Sequence, residues 1–335
     1  MSLVGIVANP ASGKDIRRLV ARGSVFDNAE KTNILQRILS ALDILGVDQV
    51  CIMPDYYGLG QRAMNGLKPA CHVSILEMSM LGNEQDSTEA GRRFKEMGAG
   101  SIIVLGGDGT NRVVAKGCEE IPLVSISTGT NNVFSSMIEG TVAGLAAGLV
   151  ARKMVDVDRV TYPAKCLEIY VDQAWADMAL VDVAACSDSW IGARAIWDPA
   201  HIQEIILTQA KPGSLGMSSV GVGLYPVDAL DGQGIYVAVG QGELRVLAPI
   251  APGLVTHVGI REYRLLKIGD EVTLNPAART IALDGERTIE LHRGQRASVR
   301  LTNNGPHVVN IQSCMAEAAK AGVFQTRAIQ PDIRL

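Results

Sequence analysis

The run Ile102-Ile103-Val104-Leu105-Gly106-Gly107-Asp108-Gly109-Thr110-Asn111 constrains this chain more than any other stretch. Its apolar, mostly β-branched start predicts a strand buried on both faces, as in a parallel sheet. The two glycines permit a turn that a Cβ would obstruct. Asp108 then stands at the carboxyl end of the strand, and Thr110-Asn111 open a helix with N-cap chemistry. Ligands of open α/β sheets bind at that edge, where free N–H groups at a helix start favour phosphate. A carboxylate there is a poor phosphate contact; its chemistry suits a base or a Mg²⁺ partner. A tight strand-to-helix turn with an exposed aspartate satisfies the same local pattern, so the decision falls to the rest of the chain.

Two further strand ends repeat the arrangement. Leu3 to Ala8 reads as a strand emptying into Asn9-Pro10-Ala11-Ser12-Gly13-Lys14-Asp15. This loop is not a Walker A motif, because the first glycine and the Ser/Thr after the lysine are missing. Small residues and a lysine at a strand end can hold phosphate, and they can equally form a plain turn. Leu123 to Ser127 is another buried strand, followed by Thr128-Gly129-Thr130-Asn131-Asn132. Two glycine turns on adjacent strand ends would grip a triphosphate and its acceptor from opposite sides. Between these motifs the periodicity predicts a helix over Glu30–Leu45, strands at Val47–Met53 and His72–Met78, and a helix over Glu84–Met97. Gly140, Gly144 and Gly148 fall on one face of the helix after the second turn, where close packing is expected. Gly58-Leu59-Gly60 mimics a dinucleotide fingerprint, but a Pro-Asp-Tyr-Tyr insert separates it from its strand and removes the tight turn onto the pyrophosphate.

The texture changes after about residue 153. Short β-rich runs, among them Cys166–Val171, Trp175–Ala184, Ile202–Leu207, Ile235–Val239 and Thr280–Leu283, are separated by Gly, Pro, Asp and Asn turns. The expected fold is an N-terminal Rossmann-like parallel α/β domain over 1–151. A mostly antiparallel, β-rich substrate domain covers 152–335 and ends in a short helical tail.

Composition narrows the partners. A net charge of −4 without a basic cluster argues against nucleic acid. The start carries no cationic leader and runs straight into a strand, so no signal peptide is expected. The apolar helix Thr141–Ala151 is too short to span a bilayer, which argues against a membrane partner. The six cysteines are scattered singly, as in a cytoplasmic protein without a disulfide or zinc framework. A homo-oligomer binding a small molecule is the expected state.

Gly106-Gly107-Asp108-Gly109-Thr110 resembles the signature of the superfamily of NAD kinases, diacylglycerol kinases and sphingosine kinases. Asn9-Pro10-Ala11-Ser12-Gly13 and Gly129-Thr130-Asn131-Asn132-Val133-Phe134 resemble the first and second glycine loops on its lipid-kinase side. In the second domain, Ala248-Pro249-Ile250-Ala251-Pro252 and Thr280-Ile281-Ala282-Leu283-Asp284-Gly285-Glu286 resemble segments of the NAD kinases. The stretches Ile191–Asp198 and Gly213–Ser218 are similar to the ATP-NAD kinase-like acetoin catabolism protein X family.

The resemblance implies an NAD kinase-like fold and an ATP-using, Mg²⁺-dependent kinase acting on a hydroxyl of NAD or a related metabolite, with a possible link to acetoin catabolism. A lipid kinase and a non-catalytic nucleotide-binding regulator are the alternatives. It implies Asp108 as the base. It implies nucleotide and phosphate binding by Asn9, Gly13, Lys14, Gly106, Gly107, Gly109, Thr110, Thr128, Gly129, Thr130 and Asn131. Substrate contacts would come from Asn132, Asp182, Arg194 and Glu286, with no definite metal ligand. Arg194 is equally explained as a salt-bridged structural residue, and Glu286 as a hairpin-turn acid. One departure bears on the acceptor. NAD kinases carry an Asn-Asp or Asn-Glu pair that holds NAD, and the matching place here is Val181-Asp182. Valine has no hydrogen-bonding group to offer.

Overall fold

The computed structural model describes residues 1–13, 26–129, 131–187 and 201–325. The first part of the chain forms β1 (Leu3–Ala8), α1 (Asn28–Ile44), β2 (Gln49–Ile52), α2 (Leu59–Met64), β3 (His72–Ile75), α3 (Glu84–Glu96), β4 (Ser101–Gly106), α4 (Asp108–Cys118), β5 (Leu123–Ser127) and α5 (Gly140–Ala151). After α6 (Val157–Val160) and β6 (Thr161–Pro163) come β7 (Cys166–Val171), β8 (Ala174–Ala179), β9 (Asp182–Cys186), β10 (Ile202–Leu207) and α7 (Ser218–Val222). The chain closes with β11 (Gln233–Ala251), β12 (Leu254–Lys267), β13 (Glu271–Thr273), β14 (Thr280–Leu283), β15 (Glu286–Glu290), β16 (Ala297–Thr302), β17 (His307–Val309) and α8 (Ile311–Lys320).

The first sheet has the order β3-β2-β1-β4-β5-β17-β6. All its pairs are parallel except β17–β6. Every residue of β1, β4 and β5 is buried. Their side chains alternate between two cores. Ile6, Ile103 and Leu105 pack under α1, α5 and α8, whereas Val7, Ile102 and Val104 pack under α3 and α4. The chain runs outward from β1 through β2 to β3 and then returns to β4, so the switch point lies between β1 and β4. The glycine stripe of α5 packs closely, as its spacing predicts. A Cβ on Gly144 would lie 2.9 Å from Ala41 Cβ of α1, and one on Gly148 2.8 Å from Leu45 Cδ1.

The β-rich part is a sandwich of two antiparallel sheets, β12-β11-β10-β9-β14-β15 and β13-β16-β7-β8. Leu167, Ile169, Val299 and Leu301 of the smaller sheet share one core with Val183, Ile206, Tyr236 and Ile281 of the larger. A second core covers the outer face of the larger sheet beneath α7. The expected strand Trp175–Ala184 is two strands in two sheets. The chain breaks at Leu180-Val181, where the Asp284 carboxylate draws in the N–H groups of Leu180 (3.0 Å) and Val181 (2.8 Å). β11 runs to 19 residues, far beyond the expected strand Ile235–Val239. Among the described residues no helix is long and apolar enough to cross a membrane.

Candidate active site

The carboxyl ends of β1, β4 and β5 carry three turns, and polar side chains tie them together. Asn9 leaves β1, donates from Nδ2 to Thr110 Oγ1 at 2.9 Å, and folds its own loop by accepting from the Ala11 N–H at 2.8 Å. The hydroxyls of Ser12 and Thr128 meet at 2.6 Å, which joins the first loop to the third. Asn132 joins the second to the third: its Nδ2 donates to Ser127 Oγ at 2.7 Å and its Oδ1 accepts from the Asp108 N–H at 3.4 Å. The glycines make this possible. A Cβ on Gly107 would lie 2.9 Å from Asn132 Oδ1, and one on Gly129 3.1 Å from Asn132 Nδ2. Gly109, by contrast, faces open space. Asn131 has both amide atoms buried with no hydrogen-bond partner among the described residues. Such a group costs ~1–3 kcal/mol until something pairs with it.

Asp108 opens α4 and is only 7% exposed. Its Oδ1 accepts from the N–H groups of Phe134 and Ser135 and from the Ser135 hydroxyl, at 3.1, 3.1 and 3.2 Å. Its Oδ2 accepts from the Val133 N–H at 2.7 Å. Burial pushes its pKa up to about 6 against the pull of these donors, and the neighbouring Asp284 carboxylate pushes it further up. Asp284 repeats the device one domain away. It sits at φ +51° in the β14–β15 turn, and its fully buried carboxylate collects the N–H groups at the β8–β9 break. Burial raises its pKa as well, and the Arg112 guanidinium opposes that rise.

Arg112 lies one turn after Asp108 and is 1% exposed. Its guanidinium pairs with Asp177 of β8 at 3.1 Å, with Glu84 of α3 at 3.5 Å and with Asp284 at 3.6 Å. Lys116, one turn further on, holds the other oxygen of Asp177 at 2.6 Å. These ion pairs fasten the start of α4 to the β-rich sandwich. Beside them, Val133, Cys166, Leu180 and Val181 form a small apolar core common to both parts. Val181 thus gives the site its backbone N–H, while its side chain packs in that core.

The residues singled out in the sequence fall into three groups. Asn9, Gly106, Gly107, Asp108, Gly109, Thr110, Thr128, Gly129, Asn131 and Asn132 gather over the sheet edge, and Gly13 (φ +69°) is the last described residue of the first loop. Asp182 and Glu286 lie on the sandwich. Asp182 is buried and accepts from the Gly285 N–H at 3.2 Å, and Glu286 pairs with Leu283 across the hairpin. Lys14, Thr130 and Arg194 lie outside the described residues.

Three contributors escape a motif reading, Arg112, Asp177 and Lys31, and a fourth, Asp284, stands in the hairpin motif without a site role expected of it. Lys31 is fully buried in α1, and its ammonium donates to the carbonyls of Asn9 (2.9 Å), Pro10 (3.3 Å) and Ser12 (2.8 Å). Its signal is positional, since a lysine three and seven residues before Ile34 and Ile38 lies on the apolar face. Arg112 carries the same signal beside Val113 and Val114, four residues after Asp108.

Comparison with known proteins agrees with this architecture. Residues 4–154 match the ATP-NAD kinase N-terminal domain family, and residues 165–304 match the acetoin catabolism protein X C-terminal domain family. The chain is 34% identical to acetoin catabolism protein X of Cupriavidus necator, in an alignment covering 95% of this chain and 92% of that protein. The chain belongs to the acetoin catabolism protein X family. Its fold is similar to that in the crystal structure of yeast NADH kinase complexed with NADH, at a TM-score of 0.54 and 14% sequence identity, covering 98% of this chain and 90% of that one. The two family matches meet between residues 154 and 165, around the short helix α6 and the strand β6.

Proposed function

We propose that this protein transfers the γ-phosphoryl group of ATP to a hydroxyl of NAD or a related small metabolite, with Asp108 accepting the hydroxyl proton. One observation carries the reading: a buried carboxylate with a pKa of about 6 stands at a strand end between two glycine turns. A base of that pKa is ionised at neutral pH and still takes a proton readily. Oδ2 has one hydrogen-bond donor among the described residues, which leaves it a lone pair for the acceptor hydroxyl. In the reaction that proton passes to Oδ2 as the acceptor oxygen bonds to the γ-phosphorus. The bond to the β-phosphate oxygen breaks, and ADP leaves with the electron pair.

Phosphoryl transfer asks a protein for positioning and charge compensation more than for covalent chemistry. The first N–H groups of α4 have no partner within the helix and suit an anion. The unpaired amide of Asn131 offers both a donor and an acceptor. In this reading Lys14 and Thr130 serve the phosphates, and Asp182, Arg194 and Glu286 serve the acceptor. No group of three or more His, Cys, Asp and Glu residues able to hold a metal ion occurs among the described residues. Mg²⁺ therefore enters on the phosphates of ATP in this reading, and no step is assigned to it.

A second reading, nucleotide binding without turnover, draws on the same carboxylate, because its four bonds also make it a brace for Val133–Ser135. Two measurements on the purified protein separate the readings. Ligand at about 100 times its Kd stabilises by ~2.7 kcal/mol, a rise of several degrees in Tm. Mg-ATP is expected to give that rise. ADP release is expected on adding one member of a panel of NAD, thiamine diphosphate, diacylglycerol and other hydroxyl compounds. A Tm shift without ADP release favours the binding-only reading, and no shift with Mg-ATP, NAD or NADP contradicts both.

A further inference from the structure

We propose that β12 is the interface of a two-fold homodimer, in which the strand pairs with its own copy in an antiparallel register centred on Tyr263. β12 is 14 residues long and ends the six-stranded sheet; among the described residues no strand pairs with its outer side. Such an edge presents a row of free N–H and C=O groups and recruits another strand unless it is guarded. Among the exposed charges Arg261, Glu262, Arg264 and Lys267, this edge also shows apolar side chains: Tyr263 is 45% exposed and Leu265 37%, with Ile268 following at 37%.

The charges on β12 select the occupant and the register. Opposite residues of neighbouring strands point to the same face of a sheet. A two-fold axis normal to the sheet therefore passes through one residue of β12, and residues equally far before and after it face each other across copies. Centring on Tyr263 sets Glu262 opposite Arg264 of the other copy, twice, and Tyr263 opposite itself. Centring on Arg261, Glu262 or Arg264 instead sets a charge opposite its own copy, and centring on Ile260 or Leu265 leaves Glu262 and Arg264 with no opposite charge to face. The pairing with β11 supplies the orientation. Glu262 and Arg264 lie opposite Ala238 and Tyr236, on the inter-sheet face, and Tyr263 and Leu265 lie opposite Val237 and Ile235, on the other. The two ion pairs thus form on one face of the joined sheet and the Tyr263 pair on the other, extending the core beneath α7. The Arg264 guanidinium lies 5.3 Å from the ring centre of Tyr236 on β11, on that same inter-sheet face, and turns to the outer side when it meets Glu262 of the other copy. From Gly259 to Lys267 the paired length is about 30 Å.

Sedimentation velocity on the full-length protein at micromolar concentration tests the proposal, with circular dichroism to verify folding. The wild-type protein is expected at twice the mass of one chain. Glu262→Arg alone and Arg264→Glu alone each set like charges opposite and are expected to yield monomers. The double variant E262R/R264E restores both pairs and is expected to restore the dimer. Tyr263→Cys supplies a check on register: its thiol faces its own copy, and mild oxidation is expected to give a covalent dimer. The six natural cysteines are all buried, so they contribute little background. In an assembly larger than a dimer, Glu262→Arg must halve the mass. A wild-type monomer, which leaves the edge to an extended peptide of another protein, overturns the proposal. So does a dimer indifferent to the single reversals, a double variant that is folded but monomeric, or Tyr263→Cys that does not cross-link.

Discussion

At the scale of the residue, the site is an arrangement of buried charges that would be costly anywhere else. Arg112 is the clearest case. Replacing a buried ion pair by apolar groups can be neutral, but removing one partner leaves an uncompensated charge. Arg112→Met is expected to lower stability by about 3–5 kcal/mol, read by urea unfolding, because Asp177 and Asp284 stay behind. A loss under ~1 kcal/mol would show that Lys116 and the backbone donors suffice for those carboxylates. Lys31→Met strips a donor from three carbonyls of the first loop, and the expected cost is about 2–4 kcal/mol. Asp108 contributes with the opposite sign. Its pKa rises from 3.8 to about 6 on folding, so the folded protein binds its proton more tightly than the unfolded chain does. The resulting stabilisation is full below pH ~4 and is lost as pH rises through about 6. Asp108→Ala removes this group, and its stability measured from pH 4 to 6.5 is expected to fall less with rising pH than that of the wild-type protein. A parallel course for the two proteins would mean that Asp108 does not titrate in this window.

At the scale of the element, close packing fixes where α4 begins and hence where Asp108 and Arg112 stand. A Cβ on Gly117 would lie 2.1 Å from the Thr88 carbonyl oxygen, and one on Gly91 2.9 Å from that of Val114. The two glycines let α3 and α4 touch backbone to backbone, which also brings Glu84 to Arg112. Gly117→Ala is expected to force the helices apart at a cost of about 1–3 kcal/mol or more, with a Tm lowered accordingly. An unchanged Tm would count against this account of the crossing. The same elements show what could be read from sequence. β1, β4 and β5 are continuous apolar runs because both their faces are covered, and the turns after β4 and β5 announce themselves through glycine and Asn/Thr. The β8–β9 break does not, because Ala179-Leu180-Val181 reads as strand. It is set by a carboxylate 104 positions away, which no local pattern contains. The far half of β11 is hidden for a different reason: Gln241–Arg245 is an exposed stretch with a glycine in it, and Pro249 interrupts the apolar run Val246–Ala251.

At the scale of the molecule, the chain returns from the sandwich to finish the sheet it began. β17 pairs with β5 at Val308–Leu123, and α8 packs in the core beneath α1 and α5. Three residues of strand give almost no signal in sequence, so this return was not legible, whereas the two motif-bearing turns were. The consequence is that the sheet edge, the Arg112 ion pairs and the sandwich form one continuous body around Asp108. The acceptor is the part that sequence and fold constrain least. The side chain of Val181 packs inward, so in the proposed reaction the acceptor contacts fall to Asn132, Asp182, Arg194 and Glu286 or to backbone groups. The central claim is that Asp108 takes the acceptor proton. The rate of ADP release against pH, for wild-type protein and Asp108→Asn with the same acceptor, tests it most directly. The wild-type rate is expected to rise tenfold per pH unit below an apparent pKa near 6 and then level off. The variant, still binding Mg-ATP by Tm shift, is expected to be at least ~10² slower and to lack that rise. A variant that binds nucleotide, turns over near the wild-type rate and keeps the same pH profile would contradict the claim.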